Sequence, residues 1–155
     1  MKALKLILFF IVMISLSNCK DNYLGETTII TFPEEKWEKS NVLTFTYTIS
    51  EIGEKYNIYV NLRHTSAFYD KKLKLKVTAI SPSGKSETFT EVLNIKNLRG
   101  KFKSECIGDY CDLKELIKKK FTFKETGEYK IQVEHLSDRE FISNVMRLEL
   151  IIEKN

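Results

Sequence analysis

The chain has 155 residues, 43% of them hydrophobic and 30% charged, enough for one domain built around one core. Its net charge of +4 falls to +2 once Lys2 and Lys5 leave with an N-terminal signal, a balance that does not call for nucleic acid as a partner. Only two prolines and six glycines occur, with no low-complexity tract and no internal repeat, which argues against a long linker or a second domain.

Lys2 and Lys5 form a short positive segment ahead of an unbroken apolar run over residues 6–14. Nine residues suit the hydrophobic part of a secretory signal and are too few to span a bilayer as a helix. Leu16, Ser17, Asn18 and Cys19 follow, and they look like the lipobox of bacterial lipoproteins, in which the cysteine thiol takes the lipid and cleavage falls just before it. The reading is a signal peptide over 1–18, a lipidated Cys19 with a short tether over 19–26, and a folded domain over 27–155. The three cysteines support it independently, because an odd count in an exported chain leaves one thiol to be explained. With Cys19 lipidated, Cys106 and Cys111 remain as an even pair around a turn-forming insert. A disulfide fits an oxidising compartment, and half of a metal site is the rival reading. Seven residues after Cys19 reach only about 25 Å at ~3.5 Å each, so the domain stays close to the membrane.

The apolar pattern of the remaining chain has period two. Residues 27–32 are β-branched and aromatic, and Pro33 ends that strand because it cannot donate to a ladder. Leu43, Phe45, Tyr47 and Ile49 alternate with polar residues, as do Tyr56, Ile58, Val60 and Leu62 after the Gly53 turn. Leu73, Leu75, Val77 and Ala79 alternate with Lys72, Lys74, Lys76 and Thr78, and a turn over 81–84 leads to a returning strand over 86–95. A looser stretch over 96–110 follows. Asp112 at an N-cap position, Glu115 three residues on, and Leu113, Leu116 and Ile117 predict one or two helical turns. Phe121 and Phe123 resume period two, Gly127 turns the chain, and Tyr129, Ile131, Val133 and His135 alternate. A last strand carries Met146, Leu148, Leu150 and Ile152 on one face. The expectation is an all-β fold, a single β-sandwich or jelly-roll-like domain of seven to eight antiparallel strands with one short helix.

No catalytic constellation, cofactor motif or metal-ligand cluster stands out, so neither enzyme activity nor a cofactor is expected. His135 continues an apolar face and reads as a satisfied core histidine. Arg63, His64 and Thr65 sit at a strand end and form either a binding loop or an ordinary surface turn. Lys72, Lys74 and Lys76 share one strand face, which is either a strip for anionic lipid or an acidic partner or a solvated face that discourages edge-to-edge aggregation. Lys118, Lys119 and Lys120 read as the exposed end of the short helix. Asp109 and Asp112 give only a faint signal for calcium. Trp37 in a loop, with Tyr69 elsewhere, either offers sugar-stacking rings or, for the tryptophan, closes the end of the core.

Trp37, the strand over 42–45, the run Lys55, Tyr56, Asn57 and Ile58 leading to Asn61, Leu62, Arg63 and His64, then Tyr69, Leu73, Phe123, Gly127, Glu128 and Tyr129 together resemble the gliding-motility lipoprotein GldH family. That resemblance implies a non-enzymatic outer-membrane lipoprotein of the gliding apparatus, in bacteria whose motility machinery overlaps type IX secretion, with a shared role in secretion or envelope assembly. It implies a membrane held through the lipid anchor and other envelope motility or secretion proteins as partners, and it supplies no catalytic residues. The partner-binding candidates are Arg63, His64, Tyr69, Lys72, Lys74 and Lys76. A glycan-binding surface lipoprotein is the alternative.

Overall fold

The computed structural model describes residues 23–25 and 27–155. Eleven strands form in them: β1 (Ile29–Thr31), β2 (Lys36–Glu38), β3 (Leu43–Ile49), β4 (Tyr56–Thr65), β5 (Lys72–Ile80), β6 (Ser86–Asn94), β7 (Glu105–Ile107), β8 (Tyr110–Phe121), β9 (Gly127–His135), β10 (Phe141–Ser143) and β11 (Val145–Lys154). They make a five-stranded sheet in the order β1-β11-β4-β8-β7, a four-stranded sheet in the order β3-β9-β5-β6, and a β10-β2 ladder. Every pairing is antiparallel. The fold is therefore the expected β-sandwich. The count exceeds seven to eight because β2, β7 and β10 are three-residue strands, too short to show a period.

Alternation puts the core between the two larger sheets. Leu43, Phe45, Tyr47 and Ile49 of β3 face Ile58, Val60, Leu62, Leu148, Leu150 and Ile152 across one continuous cluster of buried side chains. The Tyr47 hydroxyl crosses the cluster to donate to the Leu150 carbonyl, and burial raises its pKa, so the phenol stays protonated and the bond holds the two sheets together. Trp37 lies in β2, not in a loop, and is fully buried: it stacks on Phe32, meets His135 edge-on and donates its indole N–H to the Asn41 carbonyl. It closes one end of the core.

The stretch after Asp112 is the longest strand, not a helix; among the described residues the one helical turn is the 3-10 segment Pro33–Glu35. Two bulges in β8 and the unburied Glu115 cause the misreading. Tyr59 pairs with Leu116 and Ile58 with Lys118, leaving Ile117 extra, and a further residue is extra before Tyr56 meets Phe121. Glu115 pairs with Lys103 at the surface and Lys119 lies within the second bulge, so the positions between are not buried and the inward side chains after Cys111 fall at 113, 117 and 121, the four-residue spacing of a helix face. Lys118, Lys119 and Lys120 belong to this bulged strand, and Lys118 reaches over the Phe89 ring of β6. A bulge at Met146 similarly puts Val145 in the core and leaves Met146 only half-buried.

The strand directions define two ends. The loops over 50–55, 81–85 and 122–126 and the C-terminus lie at one end; those over 66–71, 95–104 and 136–140 and the β7–β8 turn lie at the other. Tyr23 forms a bridge with Glu153 and the Leu24 N–H donates to the Ile152 carbonyl, so the chain joins the sandwich at the first end.

Candidate functional site

β4 runs through Arg63 and His64 without leaving the sheet, so the expected loop or surface turn is instead the continuing strand. His64 keeps the inward phase and is fully buried. Its Nδ1 lies 2.8 Å from the Thr65 carbonyl, which only a protonated nitrogen can satisfy, and its Nε2 accepts from the Ser104 hydroxyl at 2.7 Å. The ring sits between Phe68 and Phe102, with centroids 5.2 and 5.0 Å away. Burial holds its pKa below the ordinary histidine value. As a partner-contacting side chain His64 is therefore excluded by its position; it supports the loops above it.

Arg63 points outward and clamps Asp112 with two bonds, 2.8 and 2.6 Å. The Arg63 guanidinium holds the Asp112 carboxyl below its ordinary range, and Arg147 stands 3.9 Å from the same carboxylate. Two guanidiniums on one carboxylate leave unmatched positive donors at the surface. Asn61 bonds Glu149, and Lys114 bonds Glu153 while lying over the Tyr59 ring. The outer face of the five-stranded sheet is thus stitched by side-chain bonds along its length. Arg147 was not visible as part of this group, because the Met146 bulge sets its direction. Asp109 accepts from Ser66 and Asp112 serves Arg63, and among the described residues no group of three or more histidine, cysteine or acidic side chains is placed to hold a metal ion.

Lys72 and Lys74 are exposed on the outer face of the four-stranded sheet, whereas Lys76 bonds Glu134 at 2.9 Å. Tyr69 is 83% exposed in the loop after β4. Trp37 and Tyr69 therefore form no common aromatic platform, one being inside and the other outside. Cys106 and Cys111 are joined by a disulfide across neighbouring positions of the β7–β8 hairpin, with Cys111 in the interior and Cys106 exposed. The Ser66 N–H and hydroxyl donate to the Asp109 carbonyl and carboxylate at 2.8 and 3.0 Å, which ties the hairpin to the 66–71 loop. Arg63, Tyr69 and the disulfide hairpin are so brought to one end of the molecule. Cys19 lies outside the described residues.

Among solved structures, the infectious bursal disease virus VP2 subviral particle aligns with 82% of this chain and 32% of its own, at 13% identity and a TM-score of 0.36, a likeness too slight to bear on function. The gliding motility lipoprotein GldH of Flavobacterium johnsoniae is 30% identical over 97 residues, 63% of this chain and 60% of that protein's length. The GldH lipoprotein family model matches residues 26–151, nearly the whole sandwich. The chain belongs to the GldH lipoprotein family.

Proposed function

We propose that the chain is a non-enzymatic lipoprotein, anchored to the outer membrane through Cys19 after removal of residues 1–18, that serves as a partner-binding component of the gliding-motility machinery and its linked type IX secretion system. The observation that carries the reading is the pairing of Tyr23 and Leu24 with the end of β11. Only Lys20, Asp21 and Asn22 lie between Cys19 and that pairing, a span of at most about 14 Å at ~3.5 Å per residue. The tether is therefore shorter than the whole of 19–26, and one chosen end of the sandwich faces the bilayer. Both histidines of the chain are buried with both ring nitrogens engaged, which supports a role without general acid–base chemistry. Of the two rings that suggested a glycan-binding role, Trp37 is inside and Tyr69 is exposed.

Cys19→Ser is expected to abolish metabolic fatty-acid labelling and move the protein out of the membrane fraction; label that persists refutes the anchor. Deleting the protein should impair spreading or the export of type IX cargo, and a deletion strain normal in both refutes the assignment to that machinery.

A further inference from the structure

We propose that the end of the sandwich remote from Tyr23 docks an acidic protein segment that carries an apolar pocket for Leu98. The proposal rests on the partner-binding reading above and specifies the face and the chemistry of the partner.

Three loops at this end are locked into one platform. In the turn over 97–101, the Asn97 Oδ1 accepts from the Arg99 and Lys101 N–H groups at 2.9 and 3.0 Å, the Asn97 N–H donates to the Lys101 carbonyl, and the Gly100 N–H returns to the Asn97 carbonyl. Gly100 has a φ of +78°, which this turn requires and a residue without a Cβ adopts freely. Below it, the Lys103 N–H donates to the Ile95 carbonyl. The 66–71 loop is fastened alongside: Lys71 accepts from the Ile95 and Lys96 N–H groups, and the Lys96 ammonium donates to the Phe68 and Tyr69 carbonyls at 2.7 and 3.1 Å. On its other flank Ser66 holds the β7–β8 hairpin.

The platform presents what a folded monomer gains nothing by presenting. Leu98 is fully exposed at the tip of the tied turn, and Tyr69 at 83% and Ile107 at 86% are exposed at the same end. Because the backbone that carries Leu98 is already tied down, binding there has only side-chain rotamers left to order. The charge on the two loops that carry Tyr69 and Leu98 is predominantly basic. Residues 69–76 and 96–104 contain eight basic residues and one acid, Asp70, which pairs with Arg139. Lys76, Lys96 and Lys103 are engaged by Glu134, the loop carbonyls and Glu115. Lys71, Lys72, Lys74, Arg99 and Lys101 are exposed, and among the described residues no ion pair engages them. Glu105 and Asp109 lie on the hairpin side, and Asp138 and Glu140 on the 136–140 loop. A basic, apolar surface is complementary to an acidic partner, and its place opposite the membrane-joined end selects protein over lipid headgroups.

The test is a benzophenone photo-crosslinker substituted for Leu98 in the full-length, lipid-anchored chain in intact cells. The expected product is a protein adduct whose crosslinked peptide is rich in Asp and Glu. Its yield should drop at least tenfold with Lys71→Glu, Lys72→Glu and Arg99→Glu together, and no such adduct should form from the same probe at Thr46 on the outer face of the sheet. Unchanged fluorescence from buried Trp37 checks that these surface variants fold. No adduct, an adduct with lipid, or a protein adduct insensitive to the charge reversals would overturn the proposal. Fatty-acid label at Cys19, measured on the same cells, reports the anchor separately, so the two readings fail independently.

Discussion

His64 shows how much depends on one side chain's direction. Its neutral ring is fully satisfied, donating from Nδ1 to Thr65 and accepting at Nε2 from Ser104. A second proton would require Ser104 to turn its hydroxyl away and would place a charge between two phenylalanine rings. His135 is held in the same manner, donating from Nε2 to the Trp37 carbonyl and accepting from the Ser137 N–H, and burial lowers its pKa too. Because both folded-state pKa values lie below the ordinary value of about 6.5, the unfolded chain binds more protons in the window beneath it. Stability is therefore full above about pH 6.5 and is lost as pH falls through the folded-state values, by at most about 1.4 kcal/mol per pH unit for each ring. Asp112 adds its loss only at lower pH, since its pKa is depressed from a carboxylate value. A melting temperature measured from pH 8 to pH 5 should hold level and then decline below 6.5; a flat profile across that range would contradict the buried neutral rings.

Among the elements, β9 starts where the chain leaves least room. Gly127 has a φ of +119°, and a Cβ built on it would approach the Pro82 Cγ to 2.9 Å. Gly53 also has a positive φ, +89°, but meets nothing within 4 Å. Gly127→Ala should lower the unfolding free energy by more than about 1 kcal/mol, and by more than Gly53→Ala, because it adds a clash to the backbone penalty. Urea midpoints of the two variants measure the difference, and equal losses would show that Pro82 yields freely. Most elements were legible because one face of each is wet: β3, β4, β5 and β9 each read as strict alternation and appear within two residues of their expected bounds. β8 was not, because Glu115 and Lys119 interrupt its alternation and leave buried side chains four residues apart. β2 and β10 were not, because a three-residue ladder around Trp37 has no period to read.

At the scale of the molecule, the antiparallel path separates an end near Tyr23 from an end carrying Tyr69, Leu98 and Ile107. A ten-residue strand such as β4 spans about 33 Å, so the short anchor proposed at Cys19 would keep the other end well clear of the headgroups. A dye on Ile52→Cys, an exposed residue of the near end, should be quenched by headgroup-bound quencher in vesicles carrying the lipidated chain. The same dye on Leu98→Cys should not. Equal quenching at both positions would mean that the sandwich lies on its side.

The sequence by itself determined the all-β class, the inward face of most strands, the Cys106–Cys111 pairing as the reading favoured over a metal, and the resemblance to the GldH lipoproteins, since each of these is written in local periodicity, cysteine count or residue order. Only the tertiary structure decided that His64 is interior, that Arg63 and Arg147 share Asp112, and that the 66–71, 97–101 and 107–110 turns stand together. Those facts depend on where bulges reset the pleat and on which sheet each crossing strand joins, and both follow from contacts between residues distant in the chain.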